Sequence, residues 1–455
     1  METKKQNTSL KSSLQTRHIV MLSLGGAIGS GLFLGSSSAI ITAGPAVLLS
    51  YILAGLALYV VMFGVGKMVI NNEKSEPGMS GIIKPYVGAH WAHFTDWTYW
   101  STWMAVLIAE EAGVTHFLNQ LVPINPHFQW IYALIVAILA TGVNLYSVKA
   151  FGETEYWLAF VKVFVIILLI TVGVYLVLKN IVNQGVGTAV GHITAETSFA
   201  PNGFKGFLNS LLIVIFSFGG SELAAVTVAE TDNPKVAIPK AIRGVLVRII
   251  SFYVVPIFLF LELLPWKDNS GQNPKALSPF AAIFGKIGIP GAQTIVTIVI
   301  IVAIFSAVNS AIYATSRSLY SRVQSSESGL GKYLSQLNKN QVPVHAIFVS
   351  SAVLVVGVVL SAALGDSFWQ FMAGSISFTI TPVWIVLLIS ALIMYFKNKE
   401  IASPFLIGAT LLIVIALSIA FLMQIVTNPW TLSAFALIIV LLAYFSYRQE
   451  KIYAE

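Results

Sequence analysis

Apolar residues run along this chain in blocks of about 20, the length that crosses the hydrocarbon of a bilayer as a helix, with short polar turns between them. Twelve such blocks can be marked, at residues 19–43, 45–69, 95–121, 129–147, 154–178, 205–231, 241–265, 291–320, 343–364, 368–396, 402–426 and 430–447. The pattern predicts an all-α integral membrane protein of 12 transmembrane helices. The first block, IVMLSLGGAIGSGLFLGSSSAIITA, is unusual in carrying glycines at 25, 26, 29, 31 and 35. An interior glycine costs about 1 kcal/mol of helix propensity relative to alanine, so the helix is predicted to open between Gly25 and Gly31 and to restart near Ser30. Irregular backbone at membrane depth is tolerated only where it is buried in protein or lines a polar cavity. The restarted half-helix would aim N–H groups and a positive dipole end into that space, which suits a small anion such as a carboxylate. The same small-residue spacing also serves close helix packing, and the stretch alone leaves both readings open.

Composition agrees with the pattern. The 455 residues are 56% hydrophobic and 10% charged, with a mean hydropathy of +0.82, which leaves a soluble fold too little polar surface. The absence of cysteine rules out disulfides, haem thiolates and thiolate zinc sites. The excess of Lys and Arg, 26 against 19 acidic residues, is explained by position. With a cytoplasmic N-terminus, 20 of the basic residues fall in inside segments and 5 in outside ones, a bias that puts both termini inside. Residues 1–18 and 448–455 are then cytoplasmic tails. The apolar run after residue 18 is too long, and lacks the small-residue cleavage pattern, for a signal peptide.

The chain also echoes itself. The first block reads Gly29-Ser30-Gly31-Leu32 and closes with Gly44-Pro45; the sixth reads Gly220-Ser221-Glu222-Leu223 and closes with Asn233-Pro234. Two glycine-interrupted spans five helices apart have opposite topology, which points to an inverted repeat with its binding site at the two breaks. The predicted organisation is a first repeat at 19–178, an inverted second repeat at 205–396, and two further helices at 402–447 as scaffold or dimer surface. Carbonyls before the sixth-span break, from Phe216 to Gly219, would accept hydrogen bonds from an ammonium, as the N–H groups of Ser30 and Gly31 would donate to a carboxylate. The pair of breaks therefore matches a zwitterion, and an amino acid is the substrate class it suggests.

Four segments in order, GGAIGSGLFLGS, FGETEYWLAFVKV, FSFGGSELAAVTVAETDNPKVAIPKAI and NSAIYATSRSLY, resemble the amino-acid permeases of the APC superfamily, amino acid transporter (AAT) subfamily. The resemblance extends from about residue 17 to residue 399. It implies a LeuT-like fold with a 5+5 inverted repeat and proton-driven secondary transport, with protons as coupling ion and no other cofactor. Carried over position by position, it implies that Ile28, Gly29, Ser30 and Gly31 bind the substrate carboxylate, that Phe216 is an aromatic gate, and that Phe218 and Gly219 offer carbonyls to the amino group. It also implies that Lys162, in LAFVKVFVI of the fifth span, stands where sodium-coupled cousins bind sodium, with Asn309 and Ser310 facing that place.

The membrane-depth charges read similarly without the resemblance. An ammonium at Lys162 among apolar side chains is costly, which suits reversible proton binding, although a lysine can also snorkel to the interface. Glu222 follows the sixth-span break and either titrates or ties the two half-helices. Glu230, beside Asp232, is a gate or cap residue. Glu110 and Glu111 in WMAVLIAEEAGVTHF point about 100° apart, so they cannot face a substrate equally; relatives often carry an acid at the position of Glu110, which is assigned to the substrate site.

The seven histidines show no metal spacing, and no P-loop, HExxH or GxSxG motif is present, so neither a metal site nor an enzyme is expected. The expected activity is proton-coupled amino-acid uptake across the cell membrane by a monomer or homodimer, its partners being the amino acid and the bilayer, with no nucleic acid. Small residues at the breaks, and the likeness of FTDWTYW and SPFAAIFGKIGIPGA to alanine, serine and glycine permeases, suggest a small neutral substrate; paired carboxyls in the third span suggest a cationic one. An exchanger that moves no net proton is the alternative mode.

Overall fold

The computed structural model describes residues 28–71, 79–184, 199–219, 234–264, 266, 278–285, 289–324, 328–364, 368–398, 403–427 and 443. Among them every regular element is helical. In chain order these are α1 (Ser30–Phe33), α2 (Gly35–Ala43), α3 (Val47–Asn71), α4 (Met79–Leu121), α5 (Trp130–Tyr146), α6 (Val148–Gln184), α7 (Gly203–Phe218), α8 (Pro234–Ile249), α9 (Val255–Leu263), α10 (Pro279–Gly285), α11 (Ala292–Val323), α12 (Gly329–Leu334), α13 (Val344–Leu364), α14 (Phe368–Lys397) and α15 (Pro404–Thr427). Helix is found in the described part of each of the first eleven predicted spans; both predicted tails, and the twelfth span apart from residue 443, lie outside the described residues. Seven helical stretches among the described residues are long and apolar enough to cross a membrane, and α5 and α7 are shorter apolar helices.

Two local departures from regular helix have clear causes. Within α4, Gly88 takes φ 81 and ψ 168, a region reserved almost entirely for glycine. The kink comes just after Pro85, whose ring cannot continue an unbroken hydrogen-bond ladder. Between α8 and α9 the backbone widens into a π-helical turn, Ile250–Val254, and Pro256 follows at the start of α9. A proline there would drive its ring into the carbonyl four residues back, and the wider turn moves that carbonyl away.

The described residues fall into two compact units. The first draws on Met1–Gly29, Trp103–Val163 and Ile298–Trp369; the second draws on Ser30–Thr102, Phe164–Thr297 and Gln370–Glu455. In the first unit α5 packs along α13, and hydroxyl pairs join helices where lipid offers no partner: Thr141 Oγ1 donates to Ser351 Oγ at 2.8 Å and Thr315 Oγ1 to Ser350 Oγ at 2.8 Å. Phe151 of α6 stacks on Tyr313 of α11 with centroids 4.0 Å apart, and the Arg317 guanidinium lies 3.4 Å from the Tyr313 ring centre.

The second unit is built on α7, which packs against α2 and α3, with α8 against α3. Small residues permit these approaches: a Cβ on Gly55 would lie 2.5 Å from the Ile249 side chain, and one on Gly64 would lie 2.8 Å from the Ala391 methyl. Ser50 and Ser210 share a hydroxyl hydrogen bond of 2.6 Å, and Ser377 Oγ of α14 donates to the Leu212 carbonyl at 2.9 Å.

Candidate functional site

The second unit holds the two helix ends that the glycine pattern singled out. Ile28 and Gly29 are not helical and α1 begins at Ser30, where the sequence placed the restart. A helix's first-turn N–H groups have no acceptor within the helix. At the other break α7 ends at Phe218, and Gly219 leaves the helix with φ −53 and ψ 138. Its N–H is taken by the Ile215 and Phe216 carbonyls at 3.0 and 3.1 Å.

One side chain ties these ends together. Ser217 Oγ donates to the Gly31 carbonyl at 2.6 Å, and the Ser217 carbonyl in turn accepts from the Tyr253 hydroxyl at 3.2 Å. The approach is close because residue 31 is glycine: a Cβ there would lie 2.7 Å from Ser217 Cα and 3.3 Å from Phe216 Cε1. Gly31 is thus a packing residue between α1 and α7, one of the two readings its sequence left open. Phe216 is buried, and Phe218 is fully buried between Tyr51, edge-on at 6.0 Å, and Tyr253 at 4.6 Å. The Phe218 side chain therefore anchors the helix end.

The first unit holds the charges. Lys162 of α6 is fully buried, which sets aside the snorkelling arrangement, and the carboxyls acting on it electrostatically are Glu155 and Glu110. Glu155, on the same helix, is held from α11 by the Ser306 hydroxyl and by Asn309 Nδ2 at 3.0 Å. Asn309 Oδ1 accepts from Asn144 Nδ2 of α5 at 2.7 Å. The chain Asn144–Asn309–Glu155 with Ser306 thus brings three helices to one buried carboxylate, whose oxygens are both engaged. The Glu110 carboxyl lies over Gly29: a Cβ there would sit 2.5 and 2.7 Å from its two oxygens, so residue 29 must be glycine for Glu110 to occupy this place.

Of the predicted site residues, Gly29 is brought to Glu110, Lys162 to Glu110, and Asn309 to the same cluster through Glu155. Ile28 is fully buried beside Gly29. Ser310 does not join the network: its hydroxyl has no partner among the described residues, and Ser306, one turn earlier, reaches Glu155 instead. Glu222 and Glu230 lie outside the described residues. Glu155 is the group that sequence reasoning missed. The signal was available in FGETEYWLAFVKV, where Glu155 and Lys162 are spaced by about two helical turns and so share a face.

Ionisable side chains buried on facing helices of membrane-crossing length mark a functional site rather than a packing surface. The amino acid permease family model matches residues 18–453, and this chain belongs to that family: it is a multi-pass membrane protein with a LeuT-like fold. Along 98% of its length it is 66% identical to the aromatic amino acid permease FywP of Lactococcus lactis subsp. cremoris, of which it covers 97%. It is 33% identical to the aromatic amino acid transport protein AroP of Escherichia coli O6:H1, over 81% of this chain and 78% of that one. It is 35% identical to the gamma-aminobutyric acid permease of Bacillus subtilis, over 87% and 82%.

Proposed function

We propose that this chain is a proton-coupled importer of aromatic amino acids in the plasma membrane, with both termini in the cytoplasm. The membership is that of an amino-acid permease; the substrate class is supported by the names of FywP and AroP. The small neutral substrate expected from FTDWTYW and from the glycines finds no support among these relatives. Part of that expectation rested on Gly31, whose smallness is used up in packing against Ser217. The cationic alternative rested on the paired acids of the third span, and Lys162 supplies a resident counter-charge for Glu110.

The observation that carries proton coupling is one buried cluster of charges in the first unit. One ammonium, Lys162, stands against two carboxyls, Glu155 and Glu110, and all three are buried. Fully ionised, the trio holds one surplus negative charge, which is costly at membrane depth and which one bound proton removes. Glu155 is fixed by Ser306 and Asn309. Because Glu110 lies against Gly29, a change of protonation there reaches the residue that precedes α1. Alternating access needs a two-state element biased by the driving ion, and the inverted repeat at 19–178 and 205–396 supplies the moving halves in this reading. The carboxylate of the substrate is assigned to the backbone at Ile28 to Gly31, and its ammonium to the carbonyls at Phe218 and Gly219, with Phe216 beside them as gate.

The test is uptake of labelled phenylalanine, tyrosine, tryptophan and alanine into proteoliposomes, with and without an imposed pH gradient. Aromatic amino acids should accumulate only with the gradient, and a protonophore should discharge them. Aromatic exchange that ignores the gradient would make the protein an exchanger. A preference for alanine would restore the small neutral substrate.

A further inference from the structure

Glu111 takes no part in the cluster just described. It is 1% exposed, and neither carboxyl oxygen has a hydrogen-bond partner among the described residues. While Glu110 turns toward Gly29 and Lys162, Glu111 turns toward α13: a Cβ on Gly357 would lie 2.0 Å from Glu111 Oε2 and 3.3 Å from its Cδ. The missing side chain at residue 357 is therefore the niche that the carboxyl fills, with the Ile108 side chain also bordering Gly357 at 3.3 Å. Among the described residues no cation is placed against Glu111. Glu110 is the charged neighbour on α4, and Lys162 and Glu155 of α6 are grouped with Glu110. The titratable side chain of α13 is His345, in its first turn, and those of α5 are Tyr132 and Tyr146, near its ends.

A carboxylate with no donor to either oxygen is not sustained in an apolar niche, whereas the neutral acid loses far less by being there. We propose that Glu111 is a second proton-binding site of the permease, filled in this conformation and emptied when α4 and α13 part at Gly357. The inference rests on the transport reading for its role in the cycle, though not for the presence of the proton. Ionised Glu111 would be expelled from the niche toward water, so proton release and loosening of the α4–α13 contact are one event. The site differs from the Lys162 cluster in kind: that cluster balances charges, and this one holds a neutral acid by exclusion.

Infrared spectroscopy of the wild-type protein in lipid decides whether the proton is there. At a pH where exposed carboxyls are ionised, the wild-type-minus-Glu111→Gln difference spectrum should contain a protonated-carboxyl C=O band, the part of the signal that belongs to Glu111 rather than to other buried carboxyls such as Glu110 and Glu262. Gly357→Ala, which puts a methyl where Oε2 sits, should shift that band because the carboxyl must move; this variant keeps the assignment decidable if Glu111→Gln does not fold. In proteoliposomes Glu111→Gln should retain counterflow of labelled substrate and lose gradient-driven accumulation. Absence of that band from the difference spectrum, or wild-type accumulation by Glu111→Gln, overturns the proposal. Failure of the wild type itself to respond to a pH gradient would instead remove the proton-coupled reading, while the infrared result would still stand for Glu111.

Discussion

Lys162 and Glu155 lie on one face of α6, about two turns apart, and both are sealed from solvent. Neither is tolerable there alone, because an unpaired charge at membrane depth is costly. Their pairing explains why a lysine can stand in the apolar run LAFVKVFVI, and it sets what substitutions should do.

Removing one partner strands the other. Lys162→Met should lower stability by about 3–5 kcal/mol, the usual consequence of leaving a buried charge uncompensated. The double variant Lys162→Met with Glu155→Gln should recover most of it, as read by thermal melting in detergent. A double variant no more stable than the single one would mean that the two groups are not energetically paired.

Transport should separate charge from titration at the same position. Lys162→Arg keeps a cation, but guanidinium does not release its proton in the working range. It should fold, retain counterflow, and fail to concentrate substrate under a pH gradient. An arginine variant that still concentrates substrate would show that position 162 requires only fixed positive charge, and the carrier would be sought at Glu110 or Glu111.

At the helix breaks, Gly31→Ala should destabilise by about 1–3 kcal/mol, the range for forcing atoms into a packed contact, because the new methyl meets Ser217 Cα. Ser217→Ala should cost about 1 kcal/mol through loss of its hydrogen bond to Gly31. If Gly31→Ala melts like wild type yet fails to bind substrate, the glycine serves the ligand rather than the packing.

Phe216 is buried against the same contact, so truncation to alanine should cost about 3–5 kcal/mol and confound folding with gating. Phe216→Leu keeps most of the volume. It should melt within about 1.5 kcal/mol of wild type and transport far more slowly if the ring covers the substrate. Normal transport by the leucine variant would leave the ring a core residue.

Gly88 offers a purely conformational test. A Cβ there meets nothing within 4 Å, so Gly88→Ala should cost about 1–3 kcal/mol from backbone strain alone. Asparagine, which tolerates ordinary left-handed turns but not ψ 168, should fare no better. A neutral alanine variant would show that the kink is held by Pro85 instead.

Most of the architecture was legible because bilayer thickness dictates block length, and glycine in an apolar block has few uses. Residues 29 to 31 and 218 to 219 announced the helix ends for that reason. What the pattern could not reveal was direction. Gly31 read equally as ligand site and packing face, and only the position of Ser217 on another helix decides what its Cα touches. Glu110 and Glu111 were seen to diverge, but not that one would meet Gly29 and the other Gly357, since both partners are distant in sequence and lack a side chain to advertise them. Ser306 rather than Ser310 joins the cluster because the facing side of α11 is set by Glu155, and spacing alone does not single out that acid from its neighbour Glu153.

The π-helical turn Ile250–Val254 also sets a phase between its neighbours. Such a turn closes its hydrogen bonds one residue later than the α-helix, so it carries an extra residue without breaking the helix. Deleting one residue from it would give an outwardly better helix, yet would turn everything on one side by about 100° relative to the other. Tyr253 would then leave the Ser217 carbonyl, and the end of α7 would lose its brace. The irregular turn is therefore a fixed phase offset between two regular helices, and a one-residue deletion at this point should destabilise the protein more than a substitution within it.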